Sequence, residues 1–194
     1  MTWTEEALRT VQEDASHVHV AFPGAARRAR AEGVDGERLR IDLLLALPGD
    51  ADAVAALVQE VYEHGDSAEK LAVLRALPEL DHPTDRREAV GDRLLPVVRD
   101  ALRTNDTRLV AAAMGPYART HLEDTAWRQG VVKALFTGIP LAMVDGLDAR
   151  RDDTLVRMVS DFADERRAAG REVPADAWLV LVDTPSTHHG RSLR

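Results

Sequence analysis

The chain has 194 residues, 45% hydrophobic and 30% charged, with 4% aromatics, no cysteine and a formal net charge of −8. Such a composition suits one globular domain or one short repeat array rather than a disordered chain. The absence of cysteine excludes disulfides, thiolate nucleophiles and Cys-ligated zinc, and the acidic balance opposes nucleic-acid binding, which draws on a basic excess.

The N-terminal segment MTWTEEALRTVQED carries no long apolar run, so it is not expected to be a signal peptide. Thr2-Trp3-Thr4-Glu5 is a capping box that predicts a helix to about Asp14. His17-Val18-His19-Val20 alternates with period two, but a lone strand has nothing to pair with. Pro23 is expected to open a short helix through about Glu32, and Gly33 and Gly36 break the pattern. Glu37 to Leu47 is apolar over much of its circumference, as in a buried helix. Pro48-Gly49 ends it.

Val54, Leu57, Val58 and Val61 form a core stripe on a helix from Asp52 to Glu63, closed by His64-Gly65. Asp66 and Glu69 cap the next helix, which Pro78 is expected to stop. Residues 79–87 read as a polar loop. A helix from Arg87 to Arg103 contains Pro96, which predicts a kink or a restart. Asp106 to Met114 follows, and Gly115-Pro116 breaks it. Thr120-His121-Leu122-Glu123 reads as a second capping box, opening a helix to Phe136. Gly138-Ile139-Pro140 starts a short helix, Asp152 to Ala168 forms a long one, and Pro174 begins a last turn or two through Val182. Residues 1–183 are thus expected to form a single helical-repeat domain, with 184–194 a mobile tail. No stretch approaches the roughly 18 apolar residues of a membrane span, so a cytoplasmic location and no direct membrane span are expected.

Two helix pairs can be overlaid, with Gly65-Asp66 opposite Asn105-Asp106 at a spacing of 40 residues. Gly and Asn both favour a left-handed helix end, and Asp follows as N-cap in each. A period near 40 belongs to HEAT-type repeats. The expected fold is therefore all-α, with antiparallel helix pairs stacked as a short HEAT/ARM-like superhelix.

Catalytic patterns are missing. His64, His82 and His121 are scattered, His17 and His19 lie two apart, and His188-His189 lies in the tail; none has metal-site spacing. No serine sits in a G-x-S-x-G context, and no phosphate-cradling glycine loop occurs. Glu123-Asp124 and Asp152-Asp153 stand at helix starts, where capping accounts for them. No cofactor, metal or catalytic residue set is expected.

The segment from Trp127 to Phe136 is the exception. Trp127, Gly130, Val131, Ala134 and Leu135 make a core stripe, with Gln129, Lys133 and Phe136 beside it. Gly130 costs about 1 kcal/mol relative to Ala within a helix, which implies a close helix contact. Arg128, Gln129 and Lys133 on so apolar a helix must reach water, an acidic partner such as Asp100 or Asp106, or a ligand in a groove. Arg108, Tyr117 and His121 could share that groove.

The block TNDTRL…GPY…HL…AWRQGVVK resembles the signature half of the EboA family. The resemblance runs from about Leu102 to Pro174, is weaker over residues 37–80, and does not reach the first 30 residues. It implies a helical protein without an established catalytic set, encoded beside a UbiA-like membrane prenyltransferase, a TatD-like metal hydrolase, a sugar-isomerase-like barrel and a dehydroquinate-synthase-like protein. Such clusters are associated with making or moving a secondary metabolite or its precursor. Two readings stay open. A non-catalytic accessory or adaptor protein would hold a partner from the same gene cluster, such as the prenyltransferase-like protein, through Asn105, Asp106, Arg108, Tyr117, Arg128, Gln129 and Lys133. A small-molecule binder or unrecognised enzyme would neutralise a polar or phosphorylated metabolite with Arg128 and Lys133, using His121 or Tyr117 as acid or base.

Overall fold

The computed structural model describes residues 2–182. The described residues are helical throughout, joined by turns and 3₁₀ segments, with two isolated β-bridges and no strand. The expected tail, 184–194, lies outside the described residues, as does His188-His189.

The first two helices, α1 (Trp3–Glu13) and α2 (Val18–Glu32), lie against α3 (Gly36–Leu45). The Thr2–Glu5 capping box forms in full, each residue's side chain bonding the other's backbone N–H. The expected start of α2 at Pro23 is corrected: the helix begins at Val18 and carries Pro23 inside it. The reason is visible in its core face. Val18, Ala21, Phe22, Ala25 and Ala29 are buried at helical spacing, and burying a residue such as Phe22 stabilises by about 1.5–3 kcal/mol, which offsets the one hydrogen bond that proline removes.

Two helix pairs follow, α4 (Ala51–His64) with α5 (Ser67–Leu80), and α6 (Leu95–Arg103) with α7 (Thr107–Ala113). Each is joined by a short turn that ends in an aspartate N-cap, Asp66 or Asp106. The two N-caps keep the spacing of 40 residues. The left-handed ends expected at Gly65 and Asn105 do not occur: Gly65 is extended at φ −77°, and among the described residues none other than glycine has positive φ. Gly65 is instead required by crowding, since a Cβ there would come within 2.9 Å of Glu69 Cβ. Pro78 does not stop α5, which continues to Leu80. Pro96 does cause a restart, a 3₁₀ turn at Gly91–Leu94 giving way to α6 with proline in its first turn.

The loop 81–90 is not merely polar. Arg87 is 3% exposed, and its guanidinium donates to the carbonyls of Glu79 and Leu80, at the end of α5, and of His82 and Glu88. A cation at a helix C-terminus meets the negative end of the helix dipole.

A short α8 (Pro116–His121), which the sequence pattern did not reveal, precedes α9 (Asp124–Thr137). The second capping box is corrected with it: Thr120 lies inside α8 and donates its hydroxyl to Pro116 O, so the N-cap of α9 is Glu123, without a side-chain bond. Then come α10 (Leu147–Arg150), α11 (Asp153–Ala168), capped by Asp152, and α12 (Trp178–Leu181). Along the chain α2 packs on α3, α3 on α5, α5 on α7, α7 on α9 and α9 on α11. Among the described residues no helix is long and apolar enough to cross a membrane.

Candidate functional site

Near the end of this row, between α7 and α11, stands α9. Trp127, Gly130, Val131, Ala134 and Leu135 point into the core, as expected from their spacing. Gly130 allows the close approach that its position implies: a Cβ there would lie 2.3 Å from Sδ of the fully buried Met114. The other face of α9 carries Gln129, Lys133 and Phe136, the last 70% exposed. Gln129 and Lys133 form a ridge between two hollows.

One hollow, of about 390 Å³, lies between α6 and α9 and is lined by Arg99, Leu102, Arg103 and Glu123 besides the ridge. The other, of about 650 Å³, lies between α9 and α11, where Val132, Phe136, Met158 and Phe162 give an apolar floor. Asn105, Asp161 and Glu165 stand at its edge. A third, of about 340 Å³, separates α4 from α6 and shares Arg103 with the first. There the buried Tyr62 donates its hydroxyl to Asp100 at 2.9 Å under the ammonium of Lys70. Burial, reinforced by Asp100, pushes the Tyr62 phenol well above its ordinary range. The result is a corrugated face running across four helices.

The structure brings Asn105, Gln129 and Lys133 together at this face, and places the other expected residues elsewhere. Arg128 points along α9 to Asp152, with Nη2–Oδ2 at 2.5 Å and Nε 3.1 Å from both oxygens. Asp152 also accepts the Leu155 N–H as N-cap of α11. The guanidinium and that N–H hold the Asp152 carboxyl below its usual range. Arg128 is therefore a strut between α9 and α11, and its partner is neither Asp100 nor Asp106.

Asp106 pairs with Arg108, its neighbour on α7, which pulls its carboxyl down to about 2. Tyr117 is buried; it donates to Gly91 O at 2.6 Å and accepts from Leu94 N–H at 3.1 Å. His121 bonds Asp81 at 2.8 Å and lies against the Tyr117 ring. Neither residue lines the hollows beside α9. The two acid–base candidates thus knit loops to helices, with burial raising the Tyr117 phenol far above its usual range.

Lys133 has two roles in view. It lines both hollows, and its ammonium donates to the carbonyls of Leu102 (2.6 Å) and Thr104 (2.7 Å) at the end of α6. Lys133→Glu would set a carboxylate against those carbonyls. The variant is expected to lose about 2–4 kcal/mol of stability, from two charge-assisted bonds and the new repulsion, whereas Gln129→Ala is expected to cost under about 0.5 kcal/mol as an exposed change. Urea unfolding of the two variants checks this; equal stability would mean that the Lys133 bonds carry nothing.

Sequence reasoning missed the α11 wall. Asp161 and Glu165 are exposed, four residues apart, and engage no cation among the described residues; their spacing was readable, but not which helix they would face. It also missed a further hollow of about 920 Å³, lined by Arg119, Leu141, Met143, Asp145, Trp178 and Leu179. Gly146, at φ +85°, lets the Arg119 stem lie across its backbone there. Among the described residues no group of three or more His, Asp or Glu is placed to hold a metal ion. The face offers an apolar floor, two free amides and the carboxylates of Asp161 and Glu165.

One family model matches the chain, over residues 3–182: EboA, described as metabolite traffic protein EboA. The match takes in residues 3–30 as well, beyond the stretch over which the resemblance was expected. No curated protein and no solved structure matches.

Proposed function

The chain belongs to the EboA family, and from that premise we propose that it serves metabolite traffic as a non-catalytic adaptor, holding a partner protein against the face formed by α4, α6, α9 and α11. One observation carries the reading: hollows open side by side around α9, with Phe136, 70% exposed, lining the one toward α11 and the Gln129 and Asn105 amides free to bond. A large exposed aromatic next to unbonded amides is the usual make-up of a protein-binding patch. The reading also takes the helix pairs as a short HEAT/ARM-like stack within one domain, whose groove side is this face. The partners would be products of the same gene cluster, the membrane prenyltransferase-like protein among them, met at the cytoplasmic side.

The test is co-purification from a host expressing the whole cluster. Wild-type chain is expected to retain a cluster protein, and Phe136→Ser with Gln129→Ala to lose at least nine-tenths of it at an unchanged melting temperature. Retention by the variant, or none by the wild type, overturns the reading.

A second reading has its own observation. The hollow of about 920 Å³ beside Arg119 and Trp178 is of a size for a small metabolite. A rise in melting temperature with cluster metabolites, abolished by Trp178→Ala and not by Phe136→Ser, would favour it.

A further inference from the structure

The α9–α11 hollow carries a charge pattern of its own. Its floor is Val132, Phe136, Met158 and Phe162, and its far wall presents Asp161 and Glu165. The two acids are exposed and lie one helical turn apart, about 6 Å along the axis. Like charges at that spacing destabilise a helix by a few tenths of a kcal/mol. The cations nearby on α11 make no ion pair with them: Arg157 bonds Thr154, Arg166 bonds the carbonyl of Glu172 and lies over the Phe162 ring at 5.7 Å, and Arg167 pairs with Asp164. On the opposite wall the one cation, Lys133, is matched by the carbonyls that end α6. An uncompensated acidic wall thus stands over an apolar floor, with an exposed phenyl ring beside it.

We infer that this hollow docks a basic amphipathic helix of a partner protein, whose apolar side chains at i and i+4 enter between Phe136 and Phe162 and whose Lys or Arg residues reach Asp161 and Glu165. The inference rests on the adaptor reading above and names the chemistry of its partner. A helix laid along α11 can meet both features at once, because Met158 and Phe162 form one apolar line along α11 and Asp161 and Glu165 an acidic line beside it, complementary in charge to a basic amphipathic helix. Long cationic side chains suit the site twice, since their stems cover apolar surface while their heads reach the carboxylates, and an Arg or Lys over the face of Phe136 gains a cation–π contact. The same acids repel anionic lipid and nucleic acid.

The probe is a fluorescent Leu/Lys amphipathic helical peptide, with a Leu/Glu peptide of the same pattern as its opposite, measured by anisotropy in about 0.15 M salt. The Leu/Lys peptide is expected to bind the full chain at least tenfold more tightly than the Leu/Glu peptide. Asp161→Asn with Glu165→Gln, and separately Phe136→Ser, should each weaken it at least fivefold. Asp85→Asn with Glu88→Gln removes the same charge from a distant loop and should change it less than twofold. Equal weakening by the two charge-removing pairs would show only the general field of an acidic chain, and overturns the inference, as does binding of both peptides alike. If co-purification depends on Phe136 while the peptides show no preference, the adaptor reading stands and the basic helix falls. If the preference is seen but no cluster protein is retained, the adaptor reading falls.

Discussion

Replacing Arg87 with alanine is expected to lower the unfolding free energy by about 3–5 kcal/mol. The guanidinium is almost wholly buried and makes four contacts with carbonyl oxygens, at 2.6 to 3.3 Å, with no carboxylate partner. Each charge-assisted bond contributes on the order of 1.5–3 kcal/mol, and the oxygens left behind in a dry site carry their own desolvation cost. The sum is less than additive, because the four contacts share one side chain. Burial lowers the guanidinium's hold on its proton, yet an arginine stays charged, so truncation removes a cation from the negative end of α5 as well as a set of bonds. Arg87→Lys should recover less than half of the loss, since an ammonium cannot reach four carbonyls in a fork. Urea unfolding measures both; a loss below about 1 kcal/mol for the alanine variant would show that the loop does not depend on this residue.

Arg40→Met is expected to cost about 3–5 kcal/mol, and the companion change at Glu69 to recover most of it. Arg40 Nη2 lies 3.0 Å from Glu69 Oε1, and the two side chains are 8% and 12% exposed. The guanidinium also sits over the Phe22 ring at 5.6 Å and points its Nε at the Phe22 carbonyl. Removing one partner strands a charge where water cannot reach it. Replacing both, Arg40→Met with Glu69→Leu, leaves apolar side chains in an apolar place. Glu69 also closes the capping box with Asp66, so the double variant is expected to remain about 1 kcal/mol below wild type. Losses that simply add in the double-mutant cycle would refute the pairing. The pair ties α3 to α5, the early part of the row on which the α9 face depends.

The structural role of Arg128 and Lys133 changes what mutagenesis of this face can mean. Charge reversal at either residue breaks a tie between helices before it touches a ligand. Phe136, Gln129, Asp161 and Glu165 are the informative positions, because among the described residues their side chains make no hydrogen bond or ion pair that holds the fold.

The readable parts of the chain were those where local physics acts alone. The Thr2 and Asp66 capping boxes, the restart at Pro96 and the core stripes of α4 and α9 follow from backbone bonds that a neighbouring residue can or cannot satisfy. The errors fall where packing overrode a local signal. Pro23 and Pro78 sit inside helices because the faces they share, from Val18 to Ala29 and from Leu71 to Leu80, are buried along their length. Thr120 was misread because α8, only six residues long, is held by tertiary contacts. Arg150 holds its end, donating to the carbonyls of Ala118, Arg119 and Leu122 while stacking over Trp127.

What the amino-acid order determined by itself is that the chain is helical and which faces of its helices are apolar, since hydrophobic period and end-capping are properties of a few consecutive residues. Which cations become struts and which side chains face a hollow was decided only by the tertiary structure. Arg87 finds α5, Arg128 finds Asp152 and Lys133 finds the end of α6 across 7 to 31 residues of sequence. A long charged side chain carries no local mark of its partner; its fate depends on which carbonyls and carboxylates the fold brings within about 3 Å.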